Sequence, residues 1–445
     1  MLTEKQIQLV LKAERDLWRM PETGFREVRS SKYIADIFEE LGYQIHPAGD
    51  IPGFYADLDT GKPGPTVAII GELDALLIPG HPEADPETGA VHACGHHAQG
   101  AMLIGIAAAM KNPGATDGLC GKIRFVSVPA EELIELEYRE ELRTKGIIEY
   151  LGGKMEFVRR GMFDGVDMSI LVHPSGLPAG KMLAVTHGDN GSVAKRAIFH
   201  GVASHAGGYP MGGINALYAA TNALNAANAL RETFTDGDKI RFHPIITEGG
   251  AIVNTIPDRV VVESYVRGAS VEVLRKYNRK INRAFAASAA AIGARLTLSD
   301  RMGFYPLNNS MGMNDVMRES MEELYGENCV HVSTGRGGAS TDLGDLSTLM
   351  PVTQAISTGC VGGAHSEGFM IGDAYKVCVD TAECTIVAIR KLLENNGARG
   401  RKIVEDFHPI YATKEDYFRE TKEFIFDIDA VKYNEDGTVT LKYMQ

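Results

Sequence analysis

Six consecutive residues, His92-Ala93-Cys94-Gly95-His96-His97, combine one thiol with three imidazoles. Thiolates and imidazole nitrogens are ligands for zinc and neighbouring divalent transition metals. A zinc finger would pair cysteines two to four residues apart, but the next cysteine after Cys94 is Cys120. The segment therefore predicts two metal ligands, Cys94 and His96, whose partners come from distant parts of the chain. The alternative is a buried structural cysteine beside histidines that cap a helix.

Two adjacent carboxylates, Glu131 and Glu132, follow Pro129-Ala130. In an extended chain, neighbouring side chains point in opposite directions. One carboxylate could then bind a metal while the other acts as a general base on a water molecule. The segment is also rich in other acidic residues, so a solvated acidic turn is the alternative.

Three further histidines are ambiguous when each is considered alone. His173 follows an apolar run, His365 lies in a glycine-rich loop, and His205 lies in Ala203-Ser204-His205-Ala206. A lone histidine is more often a satisfied core residue than a ligand, so only the joint pattern favours a site.

The elements that must position these residues are buried strands. Short β-branched or apolar runs predict strands at 66–70, 123–128 and 168–172. Each strand is followed by candidate ligands or bases: Glu72 and Asp74, then Glu131 and Glu132, then His173. Open α/β sheets place their sites at this end of the strands. The repetition is a stronger signal than any single motif.

The remaining pattern predicts two domains. Helices are expected at 4–18, with Thr3 and Gln6 as a capping box, and at 30–42, 98–110 and 373–394. From about Leu183 the pattern changes to alternating strands and alanine-rich helices. The strands are expected at 195–200, 240–246 and 259–267, and the helices at 212–231 and 271–292. We predict an α/β domain with a mixed, mostly parallel sheet flanked by helices (1–187 and 302–445), and an inserted α+β unit (188–301).

Bulk composition narrows the function classes. The 445 residues are 44% hydrophobic and 23% charged, with a net charge of −13, which argues against binding to nucleic acid or to an anionic membrane surface. No apolar run approaches the roughly 20 residues of a membrane span. Six cysteines are too few for a disulfide framework at this length. We therefore expect a cytoplasmic protein.

Taken together, the motifs resemble the M20 family of two-metal peptidases and amidohydrolases, in its aminoacylase-like branch. The sequence matches the family's motifs, in the family's order, at His92-Ala93-Cys94-Gly95-His96, Pro129-Ala130-Glu131-Glu132, Leu171-Val172-His173, Ser204-His205-Ala206, Asn254-Thr255-Ile256-Pro257-Asp258 and Ala364-His365-Ser366-Glu367-Gly368-Phe369. The loop Ser340-Thr341-Asp342-Leu343-Gly344-Asp345 resembles aminobenzoyl-glutamate hydrolase and dipeptidase-like members.

The resemblance implies a role for each matching residue. Cys94 would bridge two divalent ions, Zn²⁺ or Mn²⁺ in the first instance and Co²⁺ or Ni²⁺ as alternatives. Glu132 and His365 would complete one metal site, and His96 and His173 the other. Glu131 would be the general base and acid, and Asp74 would orient a ligand imidazole.

The inserted unit would be the family's lid and dimerisation domain in a homodimer. His205 would reach the partner's site and polarise the scissile carbonyl, while Asn254 and Arg267 would bind the substrate's carboxylate. The alternative for Arg267 is a surface charge on a strand.

The implied reaction is hydrolysis of an N-acyl amino acid or small dipeptide by activated water. An aryl amide substrate is the alternative within the same class. A metal-binding relative without activity, and a subunit of a hetero-oligomer, are alternatives outside it.

Three departures from the family pattern affect the substrate more than the reaction. His97 stands where the family has Asp, the segment after Glu132 is long and charged, and Ser340-Thr341-Asp342 replaces the usual Ser/Gly-Glu-Asp.

Overall fold

The computed structural model describes residues 1–444, which form two compact units. The first unit comprises residues 1–188, 308–336 and 345–414, and the second comprises 189–307, 337–344 and 415–444. None of the helices among these residues is both long enough and apolar enough to cross a bilayer.

The helices are, in chain order, α1 Glu4–Trp18, α2 Val28–Glu40, α3 His96–Met110, α4 Leu136–Thr144, α5 Gly153–Arg159, α6 Ala216–Ala229, α7 Val271–Ile292, α8 Met311–Tyr325, α9 Leu343–Leu346, α10 Thr381–Asp406 and α11 Lys414–Lys422. The strands are β1 His46–Pro47, β2 Phe54–Asp59, β3 Thr66–Glu72, β4 Leu76–Leu77, β5 Ala90–Val91, β6 Lys122–Val128, β7 Met168–Pro174, β8 Leu183–Val185, β9 Gly191–His200, β10 Arg241–Glu248, β11 Arg259–Gly268, β12 Arg295–Phe304, β13 Val330–Val332, β14 Val352–Ser357, β15 Cys360–Val361, β16 Met370–Ile371, β17 Phe426–Asp429, β18 Val431–Tyr433 and β19 Val439–Leu441.

The first unit contains an eight-stranded sheet in the order β1-β2-β6-β3-β7-β14-β8-β13. Its central strands β6, β3, β7 and β14 are parallel neighbours, whereas β2 pairs with β6, and β8 with β14, in antiparallel register. Every residue of β3 is buried, as expected for a strand covered on both faces. The predicted fold class, with a mixed and mostly parallel sheet flanked by helices, is confirmed.

Helix α3 lies in the core of the first unit, and all fifteen of its residues are buried. It is apolar on every side, so it has no solvent face, as expected for a core helix. The small side chains of Ala101 and Ala107 and the branched Ile104 join the main hydrophobic cluster. This burial fixes the position of the helix's first residue, His96.

The second unit is an antiparallel five-stranded sheet in the order β10-β11-β9-β12-β17, with α6 and α7 packed on it. Alanines of α6, including Ala219 and Ala223, pack in one cluster with Tyr277 and Phe285 of α7. Ser270 caps α7 by accepting a hydrogen bond from Val273 N.

The compact units differ from the predicted domain bounds. We predicted that the whole of 302–445 belongs to the first domain, whereas 302–307, 337–344 and 415–444 group with the second unit. The physical reason is that β17 pairs with β12 in antiparallel register and covers its open edge. Ala430 and Val431 are buried in the second unit's core. Strands β18 and β19 form an antiparallel hairpin around residue 435.

Candidate metal centre

The candidate site lies where three neighbouring parallel strands end. Strand β3 ends at Glu72, β6 ends at Val128 just before the Glu131-Glu132 pair, and His173 lies near the end of β7. Because parallel strands direct their carboxyl ends to one edge, side chains from these three segments meet there.

The Cys94–His96 segment turns sharply into α3. Gly95, the residue before the helix, has φ +85°, a left-handed conformation that favours glycine. A side chain would not fit there either, because a Cβ atom on Gly95 would lie 2.6 Å from Pro174 Cγ. The tight turn allows the thiol and the His96 imidazole to face the same point.

Donor atoms in the first unit form three sets whose members lie within 4.8 Å of one another: Cys94, His96 and His173; Cys94, Glu132 and His365; and His96, Glu131 and Glu132. The first two sets share the thiol of Cys94. Six of the seven residues predicted for the first unit's site therefore lie together in these sets, although they are spread over 272 positions of sequence, from 94 to 365.

The orientation of the buried His96 imidazole and the half-buried His173 imidazole favours ligand binding. His96 Nδ1 donates to the Asp74 carbonyl oxygen at 3.0 Å and lies 3.1 Å from Asp74 Oδ1. His173 Nδ1 donates to the Pro174 carbonyl oxygen at 2.9 Å. When Nδ1 carries the proton, the lone pair of Nε2 is available to a metal. His173 Nε2 indeed lies 3.3 Å from Cys94 Sγ.

Asp74 contacts His96 and Glu132, which are predicted to bind different metal ions. Its Oδ1 contacts His96, and its Oδ2 accepts a hydrogen bond from Glu132 N at 2.8 Å. His365 Nε2 lies 3.1 Å from Glu132 Oε1. The backbone N–H of His365 donates to the Ala93 carbonyl oxygen at 2.9 Å, which ties the His365 loop to the segment before Cys94.

The electrostatics of the cluster reflect strong desolvation. Burial raises the pKa of the Cys94 thiol well above its ordinary value, and the neighbouring Glu132 carboxylate adds to this rise. Burial, together with His96, lowers the pKa of His173 to about 4. Burial alone would raise the pKa of Glu132, but His365 holds it at about 2. A bound cation favours the thiolate, because a coordinating thiol is deprotonated.

Two observations indicate that the donor set fits divalent metal ions. Both His96 Nε2 and Glu132 Oε1 are buried without a hydrogen bond of good geometry among the described residues, and their nearest charged neighbours are other groups of the site, Glu72 Oε2 at 3.2 Å and His365 Nε2 at 3.1 Å. Thiolate, imidazole and carboxylate together suit zinc and its neighbours in the transition series. The residues that would hold the ions are Cys94, His96, Glu132, His173 and His365, with Glu131 beside them.

A buried ion pair beside the ligands was missed at the sequence level. Lys154 Nζ lies 2.5 Å from Glu72 Oε1, and both side chains are almost fully buried. Gln99 Nε2 donates to Glu72 Oε2 at 2.7 Å. Glu72 was recognised as a residue at the end of a strand, but its partner lies 82 positions away. The only sequence signal for Lys154 is a lysine directly after Gly152-Gly153.

His97, the residue that departs from the family pattern, faces away from the donor sets. Its Nε2 lies 3.3 Å from Glu14 Oε1 of α1, and its ring meets that of Trp18 edge-on at 4.9 Å. Its contacts therefore join α3 to α1.

The second unit contains the other three predicted site residues. Exposed His205 accepts hydrogen bonds at Nδ1 from Gly207 N (3.2 Å) and Gly208 N (2.9 Å). Its Nε2 therefore carries the proton and can donate to a carbonyl oxygen. The Asn254 carbonyl oxygen accepts from Ala206 N at 2.9 Å, which places Asn254 beside the His205 segment.

Arg267 lies at the opposite end of the same sheet. His205 and Asn254 flank the end of β11 that begins at Arg259, whereas Arg267 is eight residues further along this strand. At about 3.4 Å per residue, the distance along β11 from Arg259 to Arg267 is roughly 27 Å. Arg267 Nη1 lies 3.2 Å from Ser340 Oγ. Arg267 therefore lies towards the far end of β11 from the segments that contain His205 and Asn254.

Comparison with known proteins gives consistent matches. A sequence model of peptidase family M20/M25/M40 matches residues 53–386. The chain is 26% identical over 334 residues to indole-3-acetyl-aspartic acid hydrolase of Enterobacter agglomerans, covering 64% of this chain and 72% of that protein. It is 28% identical over 405 residues to one of the p-aminobenzoyl-glutamate hydrolase subunits of Escherichia coli K12, covering 77% and 79%.

A solved structure shares the fold. The YxeP protein of Bacillus subtilis, described as a dinuclear metal-binding peptidase, is matched with a TM-score of 0.64 and 22% identity. The match covers 88% of this chain and 99% of that protein.

Proposed function

Since the chain belongs to the peptidase family M20/M25/M40, which confirms the resemblance seen in its motifs, we propose that it is a two-metal amidohydrolase of small N-acyl amino acids or dipeptides. The observation that carries this proposal is the pair of donor sets sharing Cys94, with Glu131 within 4.8 Å of two of the ligands. A donor that belongs to both sets would allow one side chain to hold two neighbouring cations.

The proposed mechanism assigns one task to each side chain. When bound, two divalent cations supply Lewis acidity and lower the pKa of water. Glu131 takes the proton of the attacking water and later returns it to the leaving amine. Asp74 holds the His96 ring in its ligand orientation. His205 Nε2–H donates to the carbonyl oxygen as negative charge develops there.

The proposed substrate is an amide with an aromatic acyl group and an acidic amino acid. The names of two relatives, indole-3-acetyl-aspartic acid hydrolase and p-aminobenzoyl-glutamate hydrolase, both describe such compounds. Arg267 is proposed to bind a substrate carboxylate, because a guanidinium can bind it with two parallel hydrogen bonds. Zn²⁺ and Mn²⁺ are the proposed ions, with Co²⁺ and Ni²⁺ as alternatives.

We further propose that the enzyme works as a homodimer through its second unit, so that His205 and Asn254 act in the partner's site. The position of Arg267, roughly 27 Å along β11 from Arg259, supports this, because one substrate would then contact Arg267 of one chain and Asn254 of the other. A groove of about 430 Å³ beside His205 is lined by Ile252, Val253 and Tyr218. Val253 is fully exposed, so a second copy has an apolar surface to cover.

The enzyme proposal is tested by metal analysis and a hydrolysis screen. The screen covers N-acyl amino acids, dipeptides and aryl amides, with Glu131→Gln as the inactive variant. We expect two metals per chain in both proteins and turnover only in the wild type. Glu141→Gln is the matched control, since Glu141 is an exposed carboxylate in the same segment. Two bound metals without turnover on any amide would overturn the proposal, and full activity of Glu131→Gln would overturn the mechanism.

The shared site is tested by mixing inactive chains. His205→Ala and Glu131→Gln chains are each expected to lose activity. In a mixed dimer, one site receives an intact Glu131 and an intact His205, so activity should partly return. No return of activity in dimers shown to exchange chains would refute the shared site.

A further inference from the structure

The charged segment after Glu132 contains one buried arginine. Helix α4 has the sequence Leu-Glu-Tyr-Arg-Glu-Glu-Leu-Arg-Thr, and only Arg139 and Leu142 are buried. The Arg139 side chain is 0% exposed. Arginine is almost never fully buried unless its donors are satisfied, so this helix directs one cation inward while its other charges face outward.

The guanidinium of Arg139 binds backbone carbonyl groups on both sides of Glu131. Its Nη1 donates to the Ala130 carbonyl oxygen at 3.4 Å and to the Leu151 carbonyl oxygen at 2.6 Å. Its Nη2 donates to the Glu132 carbonyl oxygen. The peptide groups that flank the proposed base are thus held by one rigid, planar group.

The same loop is held from its other side by Glu27. This fully buried carboxylate accepts a hydrogen bond from Ala130 N at 2.8 Å. Ala130 itself has φ +58°, which an alanine adopts only when its surroundings impose it. Glu27 binds the N–H of Ala130 and Arg139 binds its carbonyl oxygen, so together they stabilise this unusual conformation.

A glycine leaves the space that the guanidinium occupies. A Cβ atom on Gly24 would overlap with Arg139 Nη2 and would lie 3.0 Å from Ala130 Cα. Gly24 does not have a left-handed φ, so close approach, and not backbone freedom, is what requires glycine. The ring of Phe25 lies 5.5 Å from the guanidinium carbon. Segments from two distant parts of the sequence therefore enclose Arg139.

We propose that Arg139 is a positioning residue for the amide hydrolysis, which it serves by fixing the direction of the Glu131 and Glu132 carboxylates. This role rests on the proposed function. The Glu131 and Glu132 carboxylates lie within 4.8 Å of each other and of His96, and they keep this arrangement only while the peptide planes around them are fixed. A guanidinium can bind several carbonyl groups in one plane, whereas an ammonium is a compact point charge without that fork. The segment after Glu132 thus supplies a support for the catalytic pair.

The test uses the full-length protein with Arg139→Lys, which keeps the charge and removes the planar fork. Metal binding is measured by titration with Co²⁺ alone, followed by visible absorption, and hydrolysis is measured as kcat and KM separately. We expect Co²⁺ affinity or kcat to fall 10- to 100-fold, the range for groups that orient ligands, with KM within twofold. Circular dichroism checks that the fold is retained. Arg143→Lys, on the same helix and half-exposed beside Glu140, is the matched control and should match the wild type.

Wild-type Co²⁺ affinity and wild-type kcat in Arg139→Lys would overturn the role. If Arg139→Lys does not fold, a second variant, Gly24→Ala, is used. Its added methyl group displaces the guanidinium although the arginine itself is not replaced, and the same losses of Co²⁺ affinity or kcat are expected. Failure of both variants to fold would assign Arg139 to stability alone and would also overturn the role. Failure of the proposed function would instead be seen in the wild type, as absence of turnover on any amide. The Co²⁺ titration measures the effect of Arg139 on metal affinity independently of turnover.

Discussion

Replacing Lys154 with methionine should destabilise the first unit, because the Glu72 carboxylate would stay buried without its cation. Lys154 Nζ lies 2.5 Å from Glu72 Oε1, with side-chain exposures of 0% and 1%. The neutral amide of Gln99 also donates to this carboxylate, at 2.7 Å, but it carries no positive charge. A buried carboxylate that loses its partner is strongly unfavourable.

Two lines of reasoning give the same magnitude. Burial would raise the pKa of Glu72, but Lys154 and His96 hold it at about 2, against an ordinary value of 4.5. At about 1.4 kcal/mol per pKa unit, the difference corresponds to about 3 kcal/mol of stability at neutral pH, to which Lys154, His96 and His173 all contribute and Lys154 contributes most. Removing one partner of a buried pair costs about 3–5 kcal/mol in general. We therefore expect Lys154→Met to lower the free energy of unfolding by about 3–5 kcal/mol.

The sign of the pH dependence follows from the lowered pKa. A carboxylate with a depressed pKa in the folded state contributes stability above its unfolded pKa and loses it as the pH falls through the folded pKa. The difference in unfolding free energy between wild type and Lys154→Met should therefore narrow as the pH falls from about 5 towards 2, where the wild type loses the contribution of its ionised Glu72.

The assay is urea unfolding of metal-free protein, followed by tryptophan fluorescence. Trp18 is the only tryptophan and lies in the first unit, so the signal reports that unit. Lys145→Met is the matched control, because its pair with Glu141 is about 60% exposed on both sides, and it should change stability by less than about 0.5 kcal/mol. The reasoning is refuted if Lys154→Met lies within 1 kcal/mol of wild type, on the order of a surface pair. It is also refuted if adding Glu72→Gln restores none of the lost stability.

Three other predictions concern the metal segment and the tail. Cys94→Ser should weaken binding of both ions, because its thiol belongs to two donor sets, and the sulfur-to-Co²⁺ absorption should disappear; retention of two tightly bound ions would exclude a bridging role. Gly95→Ala should cost at least about 1–2 kcal/mol in urea unfolding, since φ is +85° and a Cβ would meet Pro174; unchanged stability would contradict the assigned turn. Ending the chain at Lys414 should lower the thermal stability of the second unit, because β12 loses its partner β17; an unchanged melting curve would contradict this.

Much of the fold followed from local patterns. The predicted helix at 271–292 matches α7 residue for residue, because Ser270 caps its start, Gly293 follows its end, and apolar residues repeat at helical spacing between them. The predicted capping box of α1 is also present. By contrast, β12 and β17 were not predicted. Strand β17 has only four residues and alternates with charged side chains, so its partner on β12 decides its structure.

The candidate site, too, could be predicted only in part from local sequence patterns. Cysteine, histidine and glutamate at the ends of apolar strands identified the donor atoms, because the chemistry of a ligand is a property of its residue type. Six residues of the first unit that were predicted to act together do lie together. The lysine that pairs with Glu72 and the arginine that holds Ala130 could not be predicted, since both lie in a segment whose charged residues would ordinarily face solvent.

The sequence by itself determined the family, the mostly parallel sheet and the residue types of the metal centre, because periodicity and motif spacing are properties of short stretches of the chain. Only the tertiary structure decided which carboxylate is neutralised by Lys154, which loop is held by Arg139, and that the segments of Asn254 and Arg267 lie towards opposite ends of β11. These are contacts and separations between residues far apart in sequence. They depend on the packing of whole elements, and the direction of a buried side chain is fixed only when that packing is complete.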